Sequence, residues 1–275
     1  MNRFQGQKHI CLNNQEYMPL LGLGVYDLYD QEAERVISEA LEIGYRLIDT
    51  ASMYKNEKEV GLALKKSGLK REDFFITTKV ANTDQGFENT IRAFEHSLDL
   101  LGLDYVDLYL IHWPIRSHRK ESWQALEKIF LGKRAKGIGV ANYPIPILEE
   151  LRSHSFIKPV LNQVEFSPWL YQKELLEYSR AHQIQLQSYC PITRGIKLND
   201  PRLLALSKKY DRTPAQMVLR WNIEQGISTI PKTSHKSRLK ENFESLNFEI
   251  QIEDWESMNS YDEGFRICED PMDFY

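Results

Sequence analysis

Cysteine is scarce in this 275-residue chain: Cys11, Cys190 and Cys268 are widely separated and match neither a CxxC pair nor Cys/His metal spacing. No disulfide framework and no metal site are therefore expected, and a reducing, cytoplasmic setting fits. No apolar run approaches the ~18 residues of a membrane span, and Met1–Ile10 lacks the apolar core and small-residue site of a signal peptide. Positive charge has no excess either. With 35 Lys and Arg against 39 Asp and Glu, the net charge of −4 offers no general attraction for nucleic acid or anionic lipid. Neither partner is expected, any anion site must be local, and a monomer is the expected state. No Pro/Gly/Ser linker or low-complexity tract breaks the chain, so residues 1–275 read as a single domain.

What is present is ordinary globular material, 42% hydrophobic and 27% charged, arranged in a repeated strand and helix pattern. Ile10 to Met18, broken at Asn13-Asn14, reads as a hairpin within a cap over 1–17 that plugs one end of the domain. Met18 to Val25 is the first strand, with Gly22 and Gly24 letting the backbone pass close to a core neighbour or a ligand. A helix over 30–43, capped by Asp30 and closed by Gly44, leads to the strand Tyr45-Arg46-Leu47-Ile48-Asp49, whose alternation sets Tyr45, Leu47 and Asp49 on one face. The alternation then continues with strands at 74–80, 106–112, 137–141, 160–165, 185–189 and 227–230. Helices separate them at 57–67, 86–101, 121–132, 146–153, 172–182, near 200–210, and 214–225; a C-terminal helix and tail occupy 246–275. Eight strands joined by helical crossovers close most economically as a (β/α)8 TIM barrel. An open doubly wound sheet is the alternative, but Gly22-Leu23-Gly24-Val25-Tyr26-Asp27 lacks the third glycine of a dinucleotide fingerprint.

A barrel gathers the C-terminal ends of its strands at one mouth. Those ends carry Asp49 and Tyr54, Lys79, His112 and Trp113, Asn142, Gln163, Tyr189, and Pro231-Lys232-Thr233. Each alone has a plainer reading. Asp49 can cap a helix, Lys79 and Lys232 can be solvated charges, His112 a hydrogen-bonded core histidine and Tyr189 a half-buried aromatic. Together, an acid, a lysine, a tyrosine and a histidine without a zinc or thiol set point to proton chemistry with an organic cofactor or substrate. A lysine near Tyr54 is expected to favour its phenolate, Asp49 to hold Lys79 charged and aimed, and a neutral His112 to hydrogen-bond a substrate oxygen.

Three runs then resemble the signatures of the aldo-keto reductase family. They are Gly44 to Ala51 with Tyr54 and Asn56-Glu57; Leu108 to Pro114; and Ile230 to His235 with Arg238, Glu241 and Asn242. The match is in order over roughly residues 8–262 and is nearest to short prokaryotic-type members, the glyoxal, methylglyoxal and diketogluconate reductases. The resemblance implies a (β/α)8 barrel that binds NADP(H) without a Rossmann domain and reduces aldehydes or ketones. Tyr54 would be the proton donor, Lys79 and Asp49 its tuning pair, and His112 would orient the carbonyl.

It further implies that Tyr189 stacks on the nicotinamide while Asn142 and Gln163 bond its carboxamide. Lys232, Thr233, Ser234 and Arg238 would hold the 2′-phosphate end, with Glu241 and Asn242 on the adenine. Hydroxyl, lysine and arginine at a helix start make a local anion cradle, although a basic solvated helix end that includes Lys236 and Lys240 is the plainer alternative. Ala141 stands where the family usually has serine, and Phe166-Ser167-Pro168 and Cys190 also depart from its pattern, in the carboxamide and pyrophosphate surroundings. Tyr26, Trp113 and His112 are the expected substrate contacts. The short tail suggests a fairly open mouth and small substrates such as aldehydes, dicarbonyls and keto sugars. A Schiff-base aldolase using Lys79 and a non-catalytic nucleotide-binding subunit resembling potassium-channel β subunits are the rivals.

Overall fold

The computed structural model describes residue 4 and residues 7–274. At its N-terminal end β1 (His9–Cys11) and β2 (Tyr17–Pro19) form an antiparallel ribbon that turns at Asn13-Asn14. Those asparagines also fasten the turn to the foot of the main sheet. Asn13 Nδ2 donates to the carbonyls of Pro159 and Gln183 at 3.1 and 3.0 Å, and Asn14 Nδ2 donates to that of Lys136 at 2.8 Å.

Eight parallel strands come next: β3 (Leu23–Gly24), β4 (Leu47–Asp49), β5 (Phe75–Val80), β6 (Val106–Ile111), β7 (Ala135–Ala141), β8 (Leu161–Glu165), β9 (Gln185–Tyr189) and β10 (Ser228–Thr229). They pair in chain order. The last returns to the first: Leu21 bridges Thr229 in parallel, the Thr229 N–H donates to the Leu20 carbonyl at 2.8 Å, and the Gly22 N–H donates to the Thr229 carbonyl at 2.9 Å. The crossovers are α1 (Asp30–Ile43), α2 (Glu57–Lys66), α3 (Phe87–Leu101), α4 (Arg119–Leu131), α5 (Ile145–His154), α6 (Lys173–Ala181), and then α7 (Pro201–Tyr210) and α8 (Pro214–Glu224) together before β10. After β10 come α9 (Lys236–Phe243) and α10 (Ile252–Asn259). This is the (β/α)8 barrel expected from the alternation.

Strand alternation divides the core in two. Leu47, Phe75, Leu108, Leu110, Leu161 and Ile230 fill the barrel interior, closed below by Met18, Leu12 and Phe4. Their neighbours Ile48, Ile76, Tyr109 and Ile138 point outward and pack against the helices with Val36, Ile37 and Trp123. Three local expectations are corrected. Met18 belongs to the hairpin, so the first barrel strand is shorter than 18–25. Tyr45 does not share the inner face with Leu47, because it precedes β4 and turns outward, donating its hydroxyl to the Leu239 carbonyl at 2.9 Å. Asp30 is the first residue of α1 and provides no side-chain cap. Gly22 and Gly24 pass close to core neighbours, as the sequence allowed: a Cβ would lie 2.1 Å from a Leu47 methyl at one and 2.8 Å from the Ile230 carbonyl at the other.

Candidate active site

Side chains that alternate inward along β4 and β5 are apolar until the strands approach the mouth. There Leu47 gives way to Asp49, and Phe75 and Thr77 to Lys79. Asp49 and Lys79 are almost wholly buried, and Lys79 Nζ donates to Asp49 Oδ1 at 2.5 Å and to the Thr50 carbonyl at 2.9 Å. Asp49 Oδ2 accepts from Gln163 Nε2 at 2.7 Å, and the same nitrogen reaches Gln187 Oε1 at 2.7 Å. A charge pair out of water is tolerated when other hydrogen bonds support it, and here the Thr50 carbonyl supports the ammonium and the Gln163 amide the carboxylate. Burial pushes the Asp49 carboxyl up and the Lys79 ammonium down, while their mutual attraction pulls each back toward the charged form.

Tyr54 sits in a single helical turn just beyond β4, and its ring lies over this pair, with Lys79 Nζ 5.1 Å from the ring centroid. His112, immediately after β6, meets the Tyr54 ring edge-on at 5.5 Å, and Tyr26 meets it from the outside at 5.2 Å. The loop bearing Tyr54 is held by Asn56. This buried amide donates to the Val25 and Leu28 carbonyls at 2.8 and 2.9 Å and accepts from the Thr50 hydroxyl at 2.7 Å.

The four groups therefore converge, but the charge balance differs from the sequence expectation. Tyr54 is not drawn toward phenolate: burial pushes it well above the usual phenol range, and the Asp49 carboxylate adds to the effect. His112 follows expectation. Burial, helped by the Lys79 ammonium, lowers it to about 3, so it is neutral at ordinary pH. Its Nδ1 is buried and has no hydrogen-bond partner among the described residues.

Around this centre, Asn142 takes a left-handed backbone (φ 64°) just beyond β7. Its Nδ2 donates to the His112 carbonyl at 3.0 Å and its Oδ1 accepts from the Tyr189 hydroxyl at 2.7 Å. Asn142 and Tyr189 are thus tied to the His112 segment, while Gln163 is tied to Asp49. Trp113 is held through its carbonyl by Gln85 Nε2 at 2.7 Å. Its ring stacks at a tilt on Phe274, with centroids 5.0 Å apart. The tail therefore lies against the mouth at Trp113; Tyr275 lies outside the described residues.

On the β10 side Lys232 lies 4.0 Å from Asp27, Thr233 Oγ1 accepts the His235 N–H at 3.2 Å, and the Ser234 carbonyl accepts from Arg35 at 3.2 Å. Arg238 is exposed on α9, whose N-terminus carries no side-chain cap. Asn242 is buried. Glu241 takes the Thr213 hydroxyl at 2.6 Å and so is engaged with the start of α8.

Two residues stood in the sequence motifs without a role. Asn56 is the staple just described. Glu57, buried at the start of α2, accepts from the hydroxyls of Thr78 at 2.5 Å and Ser97 at 3.2 Å, and burial raises its pKa. Gln187 and Gln85 were missed; only an inward position on β9 for Gln187 and a place in the loop after β5 for Gln85 could have signalled them.

A parallel barrel whose strand ends bring a buried lysine–carboxylate pair beneath a tyrosine and a neutral histidine defines a class of proton-transferring barrel enzymes. Residues 21–263 match the model of the Aldo/keto reductase family, and the chain belongs to that family. It is 43% identical over 263 residues to the glyoxal reductase of Bacillus subtilis (strain 168), covering 95% of each chain. Among solved structures it resembles an aldo/keto reductase from Brucella melitensis, with a TM-score of 0.90 and 42% identity over 93% of this chain and 100% of that one. It also resembles a Bombyx mori aldo-keto reductase in complex with NADP, with a TM-score of 0.89 and 31% identity over 96% and 95% of the two chains. The chain is an oxidoreductase of this family.

Proposed function

We propose that the protein reduces small aldehydes and dicarbonyls to alcohols with NADPH, using Tyr54 as the proton donor. The observation that carries this reading is the placement of the Tyr54 ring over the buried Lys79–Asp49 pair and against a neutral His112. A phenol kept fully protonated by burial is a competent acid only toward a strong base, and the alkoxide left by hydride addition is one. Once the proton has gone, the nearby Lys79 ammonium stabilises the phenolate, and Asp49 keeps that ammonium charged and fixed. His112, unable to hold a net charge at neutral pH, offers the substrate oxygen a hydrogen bond from its neutral imidazole.

NADPH, when bound, supplies the hydride. The residues present suit it: Tyr189 and Asn142 are presented beside His112 for a nicotinamide, and Lys232, Thr233, Ser234 and Arg238 surround the uncapped start of α9, where an anion is favoured. Asn242 and Glu241 lie further along α9 toward the adenine, with Glu241 having to leave or share Thr213 to reach it. Gln163 is assigned here chiefly to orienting Asp49, with its carboxamide contact secondary. The relative named glyoxal reductase and the NADP-bound neighbour support substrate class and cofactor.

The Schiff-base alternative has one favourable feature, the lowered basicity of Lys79. Its Nζ, however, is spent on Asp49 and Thr50 beneath the Tyr54 ring, where no carbonyl carbon can reach it. Loss of NADPH absorbance with methylglyoxal, a benzaldehyde and an aldose, repeated with NADH, tests the reading. Turnover of the smaller carbonyls that prefers NADPH is expected. Inertness across the panel with both cofactors, or activity confined to one bulky ketone, would sink it.

A further inference from the structure

Two of the three cysteines meet at the barrel mouth. Cys190 directly follows β9 and is held in the left-handed region (φ 48°). On the neighbouring strand Glu165 pairs with Tyr189, and its carboxylate accepts the backbone N–H of Ile267 at 2.6 Å and of Cys268 at 2.9 Å. That clamp sets the tail one strand away from Cys190, with the two thiols facing each other. Neither is sealed in the core: both are half-buried. Beyond Cys268 the tail runs to Phe274, whose ring rests on Trp113 at the mouth and whose carbonyl accepts from Arg119 Nη1 at 3.3 Å. Cys11 sits on the hairpin at the opposite end of the barrel.

We propose that Cys190 and Cys268 form an oxidation site, which hydrogen peroxide converts to an intramolecular disulfide that fastens the C-terminal tail across the mouth. The chemistry has a direction. The Cys190 S–H, donated to Cys268, eases Cys268 toward thiolate, helped by the Arg194 guanidinium, while the same contact and burial push Cys190 up. Cys268 is therefore the attacking sulfur. Its thiolate forms an S–O bond to one peroxide oxygen as the O–O bond breaks, and the departing hydroxide takes up a proton as water. The Cys190 sulfur then attacks the Cys268 sulfenic acid, forming S–S as S–O breaks, and the second hydroxide leaves as water with the Cys190 proton. Two electrons pass from the thiols to the peroxide. With the tail clamped beside Tyr189 and on Trp113, exchange at the mouth is slowed; that consequence rests on the reductase reading, whereas the disulfide does not.

The test treats the full chain with hydrogen peroxide and counts thiols after denaturation. The count is expected to fall from three to one, with a peptide pair linking positions 190 and 268, and to return to three with dithiothreitol. In Cys11→Ser the same linked pair forms. In Cys268→Ser, loss of the Cys190 thiol is slowed, because the attacking sulfur is gone. Carbonyl turnover falls in the oxidised protein and recovers on reduction. Three unchanged thiols, linkage through Cys11, or Cys268 carried to sulfinic acid without joining Cys190 would each overturn the proposal, and none of these readouts needs the protein to be active.

Discussion

In the proposed mechanism Tyr54 works under two opposing influences: burial holds its proton on, and the Lys79 ammonium, 5.1 Å from its ring centroid, would stabilise what is left when the proton goes. The second influence depends on a charge pair that the fold cannot leave half-made. Removing the lysine alone, Lys79→Met, strands a buried carboxylate and is expected to cost about 3–5 kcal/mol in denaturant unfolding. Adding Asp49→Leu to Lys79→Met should recover part of that loss, and a double variant as unstable as the sum of its singles would show that the pair is not coupled. His112 gives a pH signature. Its folded pKa of about 3 lies below the ordinary ~6.5 of an unfolded histidine, so between those values the unfolded chain holds a proton that the folded chain does not. Its contribution is fully present above pH 6.5 and is lost as the pH falls, by about 2 kcal/mol at pH 5. His112→Asn should flatten that part of the stability profile between pH 7 and pH 5. An unchanged slope would show that His112 does not carry it.

At the level of elements, the strand ends matter more than the strands. Asn56 ties the loop after β4 to the loop after β3 with three hydrogen bonds of 2.7–2.9 Å, wholly inside the protein. Asn56→Ala leaves two carbonyls and a hydroxyl without their partner, and a loss of about 2–4 kcal/mol is expected. Because that loop carries Tyr54, turnover should fall by more than any change in fold content by circular dichroism. A stability change under about 0.5 kcal/mol would contradict the staple. These loops were only half legible in the sequence. Hydrophobic alternation and turn residues located the strands and helices to within a few residues, because each element buries one face. The four chemical residues stood out only together, because an acid, a lysine, a tyrosine and a histidine fell at strand ends that a barrel brings to one mouth, although each alone had a plainer reading. The amide behind Asp49 was not legible as its partner: Gln163, and Gln187 that in turn accepts from Gln163, come from strands far along the chain and meet only when the barrel curls. Likewise the rise in the Tyr54 pKa depends on the density of protein around it, which no spacing reveals.

The whole molecule separates stability from chemistry along the barrel axis. Leu20, Leu21 and Thr229 close the sheet, and the hairpin, stitched by Asn13 and Asn14, seals the foot with Met18 and Leu12 beneath the inner leucines. Everything proposed to react lies at the other end. Asn14→Ala removes the bond to the Lys136 carbonyl and should lower stability by about 1 kcal/mol while leaving turnover with methylglyoxal within error of the parent. A matching loss of turnover would mean that the two ends communicate. The tail is where whole-molecule geometry most changed the sequence picture. A short tail expected to leave the mouth fairly open is instead anchored at Glu165 and against Trp113.

The most direct test of the central claim is the single-turnover rate of NADPH oxidation by methylglyoxal in Tyr54→Phe, with NADPH binding measured on the same sample. Without the phenolic proton the rate should drop at least about 100-fold while cofactor affinity stays close to that of the parent. A near-normal rate in Tyr54→Phe with NADPH bound would contradict the assignment of Tyr54 as the proton donor.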